Sequence, residues 1–92
     1  MIRSFYDRNT ENLYEGKSVV RWKAIEKQAR KRLRFLDAAT SLQDLAALPS
    51  NGLHPLAEER AGQHAIKVND QYRICFIWKD GDAERVELTD YH

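Results

Sequence analysis

Between Val19 and Ala39 the apolar residues Trp22, Ile25, Ala29, Leu33 and Leu36 recur at steps of three and four, with no glycine or proline among them. That period predicts an amphipathic helix whose stripe faces a core. Lys23, Lys27, Arg30, Lys31 and Arg34 fall on its other side. A second, shorter helix is signalled by Ser41, which can cap, and by Asp44 three residues on, near the positive helix end. Pro49 and Gly52 end it. Near the start, Ile2 to Tyr6 alternates like an edge or first strand, and Thr10 to Tyr14 reads as a helical turn capped by Asn9 or Thr10.

The second half changes period. Gln63 to Val68, Gln71 to Trp78 and Ala83 to Leu88 are short runs rich in Ile, Val, Tyr, Phe and Trp. They are joined by Asn69-Asp70 and by Lys79-Asp80-Gly81-Asp82, and Asp-Gly between apolar runs signals a hairpin. The expected fold is α+β: a small antiparallel sheet, made of this meander and the N-terminal strand, packed against two or three N-terminal helices. With two-residue loops, Arg73 would stand opposite Ile66 and Leu88, with the C-terminal residues just beyond. The opposite face would then carry Tyr72, Ile74, Phe76 and Trp78 together with Lys67, Arg85 and Tyr91. A one-residue slip or a bulge exchanges these faces, so only the neighbourhood of Arg73 and the tail is specified.

A chain of 92 residues with 42% hydrophobic residues supports one small core, hence one domain over 1–92 and no separate cofactor domain. Its formal charge of +1 conceals an asymmetry. From Lys17 to Leu36 there are eight basic residues and one acid, Glu26, while the remainder holds seven basic and thirteen acidic residues. Such a helix is either a solvated face or a surface for nucleic acid or an acidic partner. Cys75 is the single cysteine, which excludes an internal disulfide framework and a Cys-rich metal site, and fits a reducing, cytoplasmic setting. Met1-Ile2-Arg3-Ser4-Phe5 leads into charged residues, so neither a signal peptide nor a membrane span is expected there.

Candidate chemistry is concentrated in few places. Pro55 holds the backbone of His54 extended, which fixes where the ring sits. His64 lies in a strand among apolar neighbours, where a packed histidine is the simpler reading. Asp90-Tyr91-His92 places a carboxylate, a phenol and an imidazole in succession, though such a tail can also be merely solvated. Arg73 inside a central strand must reach water, an anion or a carboxylate such as Asp90 or Glu87. No His-x-x-x-His spacing or Gly-rich phosphate loop is present, so no metal and no cofactor are expected. An arginine, two histidines, a carboxylate and a tyrosine suit metal-free phosphodiester cleavage. That reaction needs a base for an RNA 2′-hydroxyl, cationic donors for the phosphorane and an acid for the leaving 5′ oxygen.

The segments Met1-Ile2-Arg3-Ser4-Phe5, Leu36-Asp37-Ala38-Ala39-Thr40, Leu53-His54-Pro55-Leu56, Gly62 to Phe76 and Asp90-Tyr91-His92 resemble the HigB (host inhibition of growth) toxins. These belong to the RelE superfamily of type II toxin–antitoxin systems. The resemblance implies a microbial-RNase-like domain that enters the ribosomal A site, cuts mRNA and stops translation. It implies as partners the ribosome, mRNA and a HigA-like helix-turn-helix antitoxin, with operator DNA reached only through the antitoxin. It also implies a monomer when free and a heterotetramer with antitoxin.

By the same resemblance His92 and His54 transfer protons, Arg73 meets the scissile phosphate, Asp90 orients His92, and Tyr91 stacks or hydrogen-bonds on substrate. Lys23, Lys27, Arg30, Lys31 and Arg34 would meet ribosomal RNA phosphates. One departure stands out. Where some relatives carry a lysine after the His-Pro-Leu segment, this chain has Ala57, Glu58 and Glu59, so that the charge falls to Arg60 or is missing. Two other readings stand beside the nuclease: a catalytically weak antitoxin-binding module acting in operon autoregulation, and a nucleic-acid-binding domain without cleavage.

Overall fold

The structure, a computed structural model, describes residues 1–90. Five helical segments precede the sheet. Helix α1 (Arg8–Tyr14) is capped by Asp7, whose carboxylate accepts the Thr10 N–H at 2.7 Å. The cap is therefore Asp7 rather than Asn9 or Thr10. Thr10 points inward instead, fully buried, and its hydroxyl oxygen accepts the Leu88 N–H at 3.1 Å. The expected single helix over Val19 to Ala39 is built in two parts: a 3-10 segment Val20–Ile25, then α2 (Glu26–Ala38). Val19 offers no side-chain cap and Ile25 sits at φ −113, ψ 8, which breaks the α-helical winding. β-Branched Val19 and Val20 are poor material for an α-helical start. Helix α3 (Leu42–Ala46) begins as expected, with the Ser41 hydroxyl accepting the Asp44 N–H.

The sheet is four-stranded and antiparallel in the order β1 (His54–Pro55), β2 (His64–Lys67), β3 (Tyr72–Lys79), β4 (Asp82–Asp90). The meander follows sequence order as expected, and β1 is an added edge strand where Pro55 is tolerated. The N-terminal segment lies along the outer edge of β4 and runs parallel to it. It is bridged at Ile2–Ala83 and Phe5–Val86 without forming a full strand. Asp80 and Gly81 both take positive φ, 52 and 82, the turn geometry that Asp-Gly favours in a two-residue hairpin.

Both hairpins depart from the simple register. Asn69 accepts the N–H groups of Gln71 and Tyr72 at 2.8 and 2.7 Å, which widens the β2–β3 loop and sets Arg73 opposite Lys67 instead of Ile66. On β4, Arg85 and Val86 together face Phe76 as a bulge, and Arg73 comes to lie opposite Thr89 instead of Leu88. Arg73, Cys75 and Ile77 consequently share one face and Tyr72, Ile74, Phe76 and Trp78 the other. Lys67 falls on the Arg73 face, against the expectation that placed it with Tyr72. The helices cover the second face: Leu13, Leu33, Leu36 and Leu45 pack with Ile66, Ile74, Phe76, Val86 and Leu88 in one buried cluster. The first face is the open one: among the described residues it carries no α-helix, only the 3-10 turn Glu58–Arg60 beside Arg73 and Glu87. Among the described residues no helix is long and apolar enough to cross a membrane.

Candidate active site

Cross-strand pairing aligns His54, Ala65, Cys75 and Glu87 in one row across the open face. The next row on that face is Lys67, Arg73 and Thr89. His54 is exposed, and its Nδ1 lies 2.9 Å from the Gly52 carbonyl oxygen. A carbonyl only accepts, so Nδ1 is the donor in this contact and Nε2 is the ring nitrogen left to meet a substrate. Gly52 supports this arrangement from a left-handed φ of 55 after the 3-10 turn Pro49–Asn51. That turn is anchored beneath: buried Asn51 donates to the Leu45 carbonyl at 3.0 Å and accepts from Arg32 at 2.7 Å.

Arg73 is half-buried at the centre of β3. It lines a cavity of about 300 Å³ together with Leu56, Ala57, Glu58, Glu59 and Arg60. The segment Ala57-Glu58-Glu59 therefore forms the rim, and Arg60 brings the second guanidinium to it. Arg60 is held by Glu87 at 3.0 Å and Gln63 at 3.1 Å, and the Glu87 bond keeps it firmly protonated. Cys75 lies buried on the floor of this face. Burial pushes its thiol up, against the opposing charges of Arg73 and Arg60. Neither Glu87 nor Cys75 was expected in a functional role. Glu87 had a signal in a carboxylate flanked by Val86 and Leu88 inside a strand.

The other candidates are placed elsewhere. Asp90 ends β4 opposite Tyr72, on the alternate face from Arg73, and accepts from the Gln71 amide at 2.9 Å. It lines another cavity with Asp7, Arg21, Trp22, Tyr72, Glu87, Leu88 and Thr89. Tyr91 and His92 lie outside the described residues. His64 packs over Phe76 on the helix side, ring centroids 6.2 Å apart. The basic helix stands on the layer behind the sheet, away from Arg73. There Lys23, Lys27, Lys31 and Arg34 are exposed. Arg30 is not part of that free surface: it donates to the carbonyls of Leu13 and Lys17 at 2.8 and 3.0 Å and pairs with Glu26 at 3.1 Å. Among the described residues no group of three or more His, Cys, Asp or Glu is positioned to hold a metal ion.

Residues 3–92 match the family described as RelE-like toxin of type II toxin-antitoxin system HigB. Toxin HigB-1 of Vibrio cholerae serotype O1 is 36% identical over 85 residues, 90% of either chain. Endoribonuclease HigB of Proteus vulgaris is 34% identical over 94 residues and is covered completely, as is this chain. Two solved structures share the fold. One is from the YoeB–YefM complex of Staphylococcus aureus, with TM-score 0.62, 12% identity, and 100% and 98% of the two chains covered. The other is the YoeB/ParE toxin of Agrobacterium tumefaciens, with TM-score 0.57, 11% identity, and 99% and 100% covered. With the α+β architecture and an open, arginine-bearing sheet face already in view, these matches place the chain in the family of RelE-like HigB toxins of type II toxin–antitoxin systems.

Proposed function

We propose that this chain is an endoribonuclease toxin that cuts mRNA in the ribosomal A site and thereby arrests translation. The observation that carries the reading is the gathering of Arg73, Arg60 and His54 on the sheet face opposite the α-helices. A relative bearing the name Endoribonuclease HigB over the full length supports it. The chemistry follows from the groups. A base removes the 2′-hydroxyl proton and the alkoxide attacks the adjacent phosphorus. Arg73 and Arg60 hold the phosphorane charge, and an acid protonates the departing 5′ oxygen. The products are a 2′,3′-cyclic phosphate and a 5′-hydroxyl. His54 through Nε2 and His92 share the proton transfers, Asp90 orients His92, and Tyr91 contacts the substrate.

The exposed cations Lys23, Lys27, Lys31 and Arg34 lie behind the sheet, so they engage ribosomal RNA on the side away from the cut strand. Arg30 contributes to that surface only by fixing the helix. The neutralising partner is a HigA-like helix-turn-helix antitoxin, and the toxin reaches operator DNA only through it. Free toxin is a cytoplasmic monomer and the complex a heterotetramer.

A second reading, an antitoxin-binding module with weak catalysis, is favoured by one observation: Glu58 and Glu59 rim the Arg73 cavity, and Glu87 offsets Arg60. Purified chain and His92→Gln, incubated with mRNA with and without programmed ribosomes, separate the two. Ribosome-dependent cuts ending in a cyclic phosphate and lost in the variant are expected. A folded chain that binds antitoxin yet cuts nothing would favour the module.

A further inference from the structure

Tyr6 and Arg85 meet outside the Arg73 cavity in an arrangement that core packing does not require. Tyr6 is 57% exposed, and the Arg85 guanidinium lies 5.6 Å from the centre of its ring. Arg85 is the bulge residue of β4 and stands at φ 52, a left-handed conformation that disfavours any side chain but glycine. Its position is enforced from both sides: its N–H donates to the Ser4 hydroxyl at 2.9 Å, and the next N–H, of Val86, to the Ser4 carbonyl at 3.1 Å. The neighbouring Tyr6 N–H closes the arrangement on the Val86 carbonyl at 2.9 Å. A strained arginine is thus held over an exposed aromatic ring on a rigid edge. Strain of this kind concentrates at functional sites.

The pair borders a cavity of about 260 Å³ completed by Glu59, Arg60, Gln63 and Glu87. Glu59 and Arg60 also line the Arg73 cavity, so the two hollows form one track along the open side. We propose that Tyr6 and Arg85 form a nucleobase subsite, seating a base of single-stranded RNA beside the phosphate held at Arg73. This rests on the nuclease reading above. An aromatic ring with an arginine beside it is the stacking platform that single-stranded nucleic acid uses. The cavity's carboxylates repel phosphate but accept from the amino and imino groups of a base. Glu59 and Gln63 therefore meet the base edge, while Arg60 and Arg73 face the backbone.

The test is cleavage of a defined mRNA on programmed ribosomes by wild type, Tyr6→Ala, Tyr6→Phe, Arg85→Gly and Arg73→Ala. A single abasic nucleotide is scanned through the positions flanking the cut. Tyr6→Ala and Arg85→Gly should raise KM about tenfold with kcat little changed, the range of one lost base stack. Tyr6→Phe should restore the wild-type KM. One abasic position should raise the wild-type KM and leave that of Tyr6→Ala unmoved. Arg85→Gly relieves the left-handed φ, so its melting temperature should hold or rise even as KM worsens, which a purely structural arginine would not produce. Wild-type KM in both Tyr6→Ala and Arg85→Gly, with Arg73→Ala inactive, overturns the subsite alone. A wild type that cuts no RNA, or an Arg73→Ala that cuts normally, overturns the nuclease reading and the subsite with it.

Discussion

The two faces of the sheet are made from alternate residues of the same strands, yet they do opposite work. On the covered face Ile66, Ile74, Phe76 and Leu88 are at most 3% exposed, sealed by Leu13, Leu33 and Leu36. Among the described residues of the open face only the small Ala65 and Cys75 are buried, and longer charged groups, Arg73 with Arg60 and Glu87, stand around them. Charge survives there because water, an opposite charge or a phosphate can reach it. Under the helices the same guanidinium would lie unsolvated at large cost. A single residue of register therefore decides whether β3 presents Arg73 to the outside or buries it.

The comparison breaks most severely from the covered side. Phe76→Ala should cost about 3–5 kcal/mol, most of the stability of so small a domain, read as a collapse of the urea midpoint. On the open side the sign of the result reverses. His54→Ala removes the group proposed for proton transfer, whose bond to Gly52 is local, so cleavage should fall about 100-fold or more while the unfolding midpoint stays near wild type.

Smaller effects sharpen the division. Asn51→Ala strips buried partners from Leu45 and Arg32 and should cost about 1–3 kcal/mol, loosening the turn that leads to His54, with calorimetry as the readout. Cys75, buried and with its thiol pushed up by burial, should resist alkylation near neutral pH in the folded protein and react fully in urea. The smallest effect belongs to Asp82, held below the usual carboxylate range first by the Met1 amino group and then by Arg3. A carboxyl depressed in the fold contributes stability above its unfolded pKa and loses it as pH falls through its folded value. Asp82→Asn should therefore lower stability slightly at neutral pH, flatten the fall on the acid side, and converge with wild type once Asp82 is protonated.

Much of this division is legible in the sequence where causes are local. The step of three and four from Ala29 to Leu36, the Ser41 cap and the Asp80-Gly81 turn each depend on residues a few positions apart, and each is found in place. Arg73 on a central strand is legible as well. Its face was not, because the faces turn on two irregularities of distant origin. The β4 bulge is set by Ser4, which meets Arg85 from 81 positions away, and a non-glycine left-handed residue carries no sequence signal. The β2–β3 slip comes from one Asn69 side chain taking two backbone donors where a tight turn would have used none. Arg30 reads as one more cation of a basic face, since nothing nearby in sequence shows that the Leu13 and Lys17 carbonyls await it. The Glu87–Arg60 pair spans 27 positions and is equally invisible before folding.

The measurement that tests the central claim most directly pairs cleavage with stability in Arg73→Ala, using mRNA on programmed ribosomes and thermal unfolding of the same preparation. The account predicts that cleavage is lost while the melting temperature stays within a few degrees of wild type, because Arg73 serves the open face and not the core. Undiminished cleavage by the folded variant would contradict it.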